Sequence, residues 1–136
     1  MIVVDASIAV KWVIPEPDSA KARTLQIERL AAPAIWLVEA ANALWRHVRV
    51  SQLTEMEAVT RLRQLRNAAI DSVPVDADID QALALALETG HPIYDCLYLA
   101  LAIRENTYAV TADTRFSSAV RRHGKWNANL RLLSEL

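Results

Sequence analysis

The stretch Met1-Ile-Val-Val-Asp-Ala-Ser-Ile-Ala-Val10 decides the fold. Ile2, Val3 and Val4 form an unbroken apolar, β-branched run, the pattern of a strand buried on both faces rather than of an alternating, half-exposed one. Asp5 ends the run, and from Ser7 onward a second apolar stretch, Ile8 to Val13, reads as a helix. A buried strand handing over to a helix belongs to a parallel α/β sheet, so Asp5 stands at the C-terminal edge of a central strand, where open α/β sheets place their ligands. The same hand-over recurs late in the chain. Tyr108-Ala-Val-Thr111 reads as a strand that delivers Thr111 and Asp113 to its end, before a helix from about Thr114 to Arg122. The two matching runs predict adjacent parallel strands in the middle of the sheet.

The segments between them supply the remaining units. Pro15-Glu16-Pro17-Asp18 is a turn, because a proline disfavours helix in the residue before it. Ser19 to Leu30 reads as an amphipathic helix and Ala31 to Ala34 as a connection with room for a brief strand. Ile35 to Val50 is a helix on which Glu39, Asn42, Arg46 and Arg49 share one face of an otherwise apolar surface. Thr54 and Glu57 form a capping box for a helix running to about Asn67. Asp71 to Val75 can supply an edge strand, since Pro74 cannot donate to a ladder. Asp78 to Thr89 is a helix closed by Gly90, and Ile93 to Ile103 is apolar nearly all round apart from Asp95, as a helix buried within the fold should be. Leu130 to Leu133 is a last short strand. The expected architecture is a three-layer α/β/α sandwich with a central, mostly parallel sheet of four to five strands.

Bulk properties narrow the function. A chain of 136 residues with 53% hydrophobic content and only two glycines reads as one domain, residues 1–136, with a single core. A formal net charge of -1 excludes a strongly basic, non-specific nucleic-acid binder but leaves room for a local cationic patch. Cys96 is the only cysteine, so no internal disulfide forms, and His47, His91 and His123 make no zinc-ligand spacing with it. No segment reads as a signal sequence or a membrane span, which leads to the expectation of a soluble, cytoplasmic protein.

The candidate chemistry lies in Asp5, Glu39, Asp95 and Asp113, with the hydroxyls of Ser7 and Thr111 close by. An all-oxygen donor set without His or Cys suits Mg²⁺ or Mn²⁺. Carboxylates gathered in one pocket raise one another's pKa, and a divalent cation relieves that repulsion. Such a cation could activate water for attack on a phosphodiester. Each acid also has a plainer explanation. Asp5, Asp95 and Asp113 all precede or open helices and could be caps, and Glu39 could belong to a solvated stripe with Asn42 and Arg46. Cys96 reads as a small buried residue, and Trp12, Trp36, Trp45 and Trp126 as core or interface.

The motifs Val3-Val-Asp-Ala-Ser-Ile-Ala-Val-Lys-Trp12, Glu39 in its apolar helix, Tyr94-Asp-Cys-Leu-Tyr-Leu-Ala-Leu-Ala102 and Val110-Thr-Ala-Asp-Thr-Arg-Phe116, in that order and spanning nearly the whole chain, resemble the PIN-domain ribonucleases, specifically the VapC-type toxins of toxin-antitoxin pairs. The resemblance implies that Asp5, Glu39, Asp95 and Asp113 surround Mg²⁺ or Mn²⁺, with Ser7 and Thr111 as polar support. It also implies an RNA substrate and a homodimer neutralised by a cognate antitoxin. Lys11, Arg46, Arg115, Arg121, Arg122 and Lys125 are the candidate RNA-binding cations. Two other classes compete with this reading. A receiver-like signalling module also gathers carboxylates and Mg²⁺ at strand ends, but it would need a pair of adjacent acids after the first strand and a lysine after a late one, which Asp5-Ala-Ser and Thr111-Ala-Asp do not supply. A non-catalytic binding protein would use the acids only as caps.

Overall fold

Five parallel strands form the centre of the computed structural model, which describes all 136 residues. They are β1 (Ile2–Val4), β2 (Leu30–Pro33), β3 (Ile70–Val73), β4 (Ala109–Thr111) and β5 (Leu130–Leu132), in the order β3-β2-β1-β4-β5. The sheet is wholly parallel, and β1 is its central strand, paired with β2 on one side and β4 on the other. The order reverses between β1 and β4: the chain builds outward through β2 and β3, then returns to add β4 and β5 on the opposite side. That switch point leaves a crevice at the C-terminal ends of β1 and β4, where Asp5 and Asp113 lie.

The helices are α1 (Ala6–Val13), α2 (Ser19–Thr24), α3 (Trp36–Arg49), α4 (Glu55–Arg66), α5 (Ile79–Thr89), α6 (Ile93–Arg104) and α7 (Thr114–His123). Alternation along β1 explains how both sheet faces are covered. Val3 joins a core with Trp36, Leu44, Leu85, Leu99, Leu101 and Phe116, while Ile2 and Val4 join a smaller one with Ile8, Leu25, Val110 and Leu133. Helix α6 lies across β1, β2 and β4, and every residue from Cys96 to Ala102 is buried, which accounts for its lack of a polar face. Truncating Leu99 or Leu101 there to alanine should cost about 2–5 kcal/mol.

Several boundaries differ from expectation. The helix expected over Ser19 to Leu30 stops at Thr24, continues as one 3₁₀ turn through Ile27, and gives Leu30 to β2. The pairing of Leu30 with Ile2 and Ile70 buries it in the sheet, and tertiary packing overrides the helical periodicity. Strand β3 is an edge strand, but Pro74 lies just beyond it. Helix α1 begins at Ala6 with Asp5 as its cap, one residue earlier than a Ser7 start. The Thr54–Glu57 capping box is present with both of its hydrogen bonds, and Gly90 closes α5 at φ 68°, a left-handed conformation that favours glycine. No helix is long and apolar enough to cross a membrane.

Candidate active site

The ends of β1 and β4 are tied together by hydroxyls. Asp5 is buried, with 6% of its surface exposed, and both of its oxygens accept hydrogen bonds: Oδ1 from the Ser7 backbone N–H at 3.0 Å and Oδ2 from the Thr111 hydroxyl at 2.7 Å. Thr111 Oγ1 in turn accepts from the Asp113 N–H at 3.0 Å, and the Ser7 hydroxyl accepts from the Ala112 N–H at 3.1 Å. Asp113 is half-buried and caps α7, its Oδ1 accepting from the N–H groups of Arg115 and Phe116 at 2.9 and 3.1 Å. Capping is therefore real for Asp5 and Asp113, and the Ser7 and Thr111 hydroxyls hydrogen-bond the two strand ends to each other.

Glu39 and Asp95 are held differently. Glu39 is not part of a solvated stripe: it is half-buried, and its Oε1 accepts from the Tyr98 hydroxyl at 2.5 Å. Asp95 is not a cap, because α6 begins after Pro92 with no side-chain capping bond. Its Oδ2 lies 2.5 Å from His91 Nε2, and the His91 ring rests on Phe116 with centroids 4.8 Å apart. Asp5, Glu39, Asp95 and Asp113 all line one cleft of about 770 Å³. Ligand atoms of His91, Asp95 and Asp113 all lie within 4.8 Å of one another. His91 and Tyr98 were invisible as site residues in the sequence, where His91 is one of three scattered histidines and Tyr98 reads as core.

Electrostatics show what the cleft lacks. Burial pushes the Asp5 carboxyl up to about 7, against the lowering effect of the Thr111 and Ser7 hydrogen bonds and with Asp95 and Glu39 adding to the rise. Burial also raises Glu39; the Tyr98 hydrogen bond and Arg46 oppose this, and Asp95 reinforces it. Burial, with the Asp5 and Glu39 charges beside it, drives the Tyr98 phenol well up, so it remains protonated and donates to Glu39. A buried carboxylate with oxygen donors around it and no cation in contact fits a divalent ion, which would supply the missing positive charge.

The six candidate cations divide. Lys11 is buried and bonded to Glu16 at 2.7 Å and Asp18 at 2.9 Å, so its charge is already neutralised by the proline turn. Arg121 is paired with Glu135, and Lys125 lies 3.4 Å from Glu88. Arg46 lines the cleft, and Arg115 and Arg122 are exposed; none of these three has an acid partner within ion-pair distance. Cys96 is fully buried, its thiol pushed up to about 11 mainly by that burial, and so is no nucleophile. Trp36 is core, with its indole N–H on Ser72, while Trp12 and Trp126 are half-buried and Trp45 is 54% exposed.

The family model of the PIN domain matches residues 2–121, from β1 through most of α7. The chain belongs to the PIN-domain family. With that, the receiver-like alternative falls. Among curated relatives of this PIN domain, Ribonuclease VapC3 of Pyrobaculum aerophilum is 32% identical over 120 residues, covering 85% of this chain and 92% of the relative. Of solved structures, PAE2754 from Pyrobaculum aerophilum superposes with a TM-score of 0.73 at 21% identity, over 98% of this chain and 84% of its own. VapC20 of Mycobacterium tuberculosis, a sarcin-ricin loop cleaving toxin, does so at 0.67 and 19% identity, over 88% and 95%. A toxin-antitoxin complex from Klebsiella pneumoniae gives 0.58 at 19% identity, over 84% and 88%. At these identities the structures establish the fold: the parallel α/β architecture expected from the strand and helix pattern, in the PIN-like form that the resemblance implied.

Proposed function

We propose that this PIN domain is a metal-dependent endoribonuclease and the toxin of a toxin-antitoxin pair, acting in the cytoplasm on single-stranded or looped RNA. The observation that carries the reading is Asp5: a carboxylate at the switch point, buried and raised to about 7, in a cleft shared with three further acids. The curated relative VapC3, a ribonuclease, supports the same reading.

Asp5, Glu39, Asp95 and Asp113 would hold Mg²⁺ or Mn²⁺ through their carboxylate oxygens. When bound, the cation polarises a phosphoryl oxygen and lowers the pKa of water for attack on phosphorus. The chain's own contribution is to fix the donors. Thr111 orients Asp5 and the Asp113 backbone together, and Asp113 spends Oδ1 on the helix cap while Oδ2 accepts no hydrogen bond from the chain. His91 fixes Oδ2 of Asp95, and Tyr98 fixes Oε1 of Glu39. Glu39 Oε2 has no hydrogen-bond partner in the chain, which leaves it free to serve as a cation donor.

An antitoxin and a second copy of this chain are the proposed protein partners. A groove of about 430 Å³ between α3 and α4, lined by Leu44, Trp45, Val48, Val59 and Leu62, and the exposed Leu83 and Leu87 of α5 offer apolar surface for them. The deciding experiment incubates purified protein with a structured RNA in Mg²⁺, in Mn²⁺ and in chelator. Internal cleavage that requires the metal and disappears in Asp5→Asn is expected. Cleavage that persists in chelator would refute the metal dependence, and no cleavage in either metal would refute the nuclease and leave a binding protein.

A further inference from the structure

An acidic cleft repels the polyanion it is meant to cut, so a strand can stay only if cations flank the acids. Inside the cleft Lys11 is neutralised twice, which leaves Arg46 on the α3 side. On the opposite side lies a second, separate concavity of about 430 Å³ between the end of α5 and α7. Six of its eight lining residues carry polar side chains: Thr89, His91, Thr114, Arg115, Ser118 and Arg122. Arg115, Ser118 and Arg122 share one face of α7 at i, i+3 and i+7, which sets the two arginines about 10 Å apart along the axis. Neither arginine has an acid within ion-pair distance, whereas Arg121, one residue away, is held by Glu135.

This concavity borders the acids directly. His91 lines it while its Nε2 meets Asp95, and the Arg115 backbone N–H is bonded to Asp113. We propose that the Arg115–Arg122 concavity is a phosphate subsite for single-stranded nucleic acid, gripping the backbone on the α7 side of the scissile bond, with Arg46 as its counterpart across the cleft. The inference rests on the proposed nuclease reading and adds the path of the strand. Two arginines two helical turns apart suit successive phosphates better than one ion, and Thr114 and Ser118 add hydroxyl donors between them.

The test measures binding of a fluorescent 12-nucleotide single-stranded RNA to the full chain in chelator, over a range of salt concentrations. In parallel, the double variant Arg115→Ala/Arg122→Ala is compared with Arg63→Ala/Arg66→Ala, which removes the same charge from exposed positions on α4. Alanine is the better helix former at all four positions, so folding is kept. The α7 pair should weaken binding about tenfold at moderate salt and lower the salt slope by about 1.4, at roughly 0.7 per phosphate contact for single strands. The α4 pair should change neither appreciably. Equal losses in the two variants, or none in the α7 pair, would overturn the subsite while leaving metal-dependent cleavage by the parent intact. Displacement of the RNA by millimolar inorganic phosphate would overturn the strand reading in favour of a single-anion site. Arginine-dependent binding by a parent that cleaves no RNA in Mg²⁺ or Mn²⁺ would uphold the subsite and refute the nuclease. A parent that binds no RNA would overturn the subsite outright.

Discussion

The ends of β1 and β4 are built from the same pattern, a short apolar strand followed by an acid and a helix, yet the two acids live in opposite environments. Asp5 ends the central strand, with a neighbouring strand on each side and α6 packed across it; it is buried, both oxygens are engaged, and its carboxyl is pushed up to about 7. Asp113 ends the next strand, where the chain turns out into α7, and it caps that helix with one oxygen while the other accepts nothing from the chain. A single local motif thus yields one buried acid with both oxygens engaged and one half-buried acid with an oxygen to spare. Position in the sheet, rather than the motif, sets the difference.

The comparison breaks first on activity. Replacing residues that merely orient metal ligands commonly costs ten- to a hundredfold, so losing a ligand should cost more. Asp5→Asn should therefore lower RNA cleavage by about a hundredfold or more. Stability should move the other way: in chelator near pH 8 the variant should melt at or above the parent temperature, because an uncompensated buried charge has been removed. Single-turnover cleavage and thermal melts on the same preparation check both. Parental cleavage would remove Asp5 from the site, and a marked loss of stability would mean that its charge is already compensated.

The pH dependence sharpens the comparison next. The Asp5 carboxyl has an unperturbed value of 3.8 and a folded one of about 7. Between them the folded state keeps a proton that the unfolded state releases. Its contribution to stability is thus fully present below about pH 4 and is lost as pH rises through about 7. At about 1.4 kcal/mol per unit, the fall reaches about 4 kcal/mol. Denaturant melts in chelator from pH 4.5 to 8.5 should show it, and Asp5→Asn should flatten it. Added Mn²⁺ or Mg²⁺ should raise the melting temperature more at pH 8 than at pH 5, since a cation binds the ionised folded form. A parent whose stability is level across this range would show that burial does not hold a proton on Asp5.

How much of this was legible in the sequence follows the same division between local and distant. The ends of β1 and β4, the Thr54–Glu57 box and the Gly90 stop depend on neighbours within a few residues, and they stand where the pattern puts them. The partners of the acids do not. Tyr98 reaches Glu39 across 59 positions, and its hydroxyl shows only as part of an apolar helix until α3 and α6 are packed. His91 is four residues from Asp95, but the intervening Pro92 marks a helix start, and the Phe116 ring from α7, distant in sequence, packs against the imidazole. Lys11 looked free because the turn that neutralises it folds back through two prolines. The helix expected to reach Leu30 failed because pairing with Ile2 and Ile70 is a property of the sheet and not of that segment.

The smallest effect tests the other half of the comparison, the double duty of Asp113. Asparagine caps a helix about as well as aspartate, so Asp113→Asn should stay within a few tenths of a kcal/mol of the parent in chelator. Asp113→Ala, which leaves the Arg115 and Phe116 N–H groups without their acceptor, should lose about 1 kcal/mol. Neither variant should gain stability as Asp5→Asn does, because no buried charge is relieved. Both should nevertheless lose cleavage and most of the metal-induced rise in melting temperature, since asparagine replaces the cap but not the anionic oxygen. The two readouts separate the two oxygens: melts without metal report Oδ1 on the helix, and melts with Mn²⁺ report the oxygen that the helix leaves free. An Asp113→Asn variant that keeps both parental cleavage and the parental metal shift would reduce Asp113 to a helix cap and confine the metal donors to Asp5, Glu39 and Asp95.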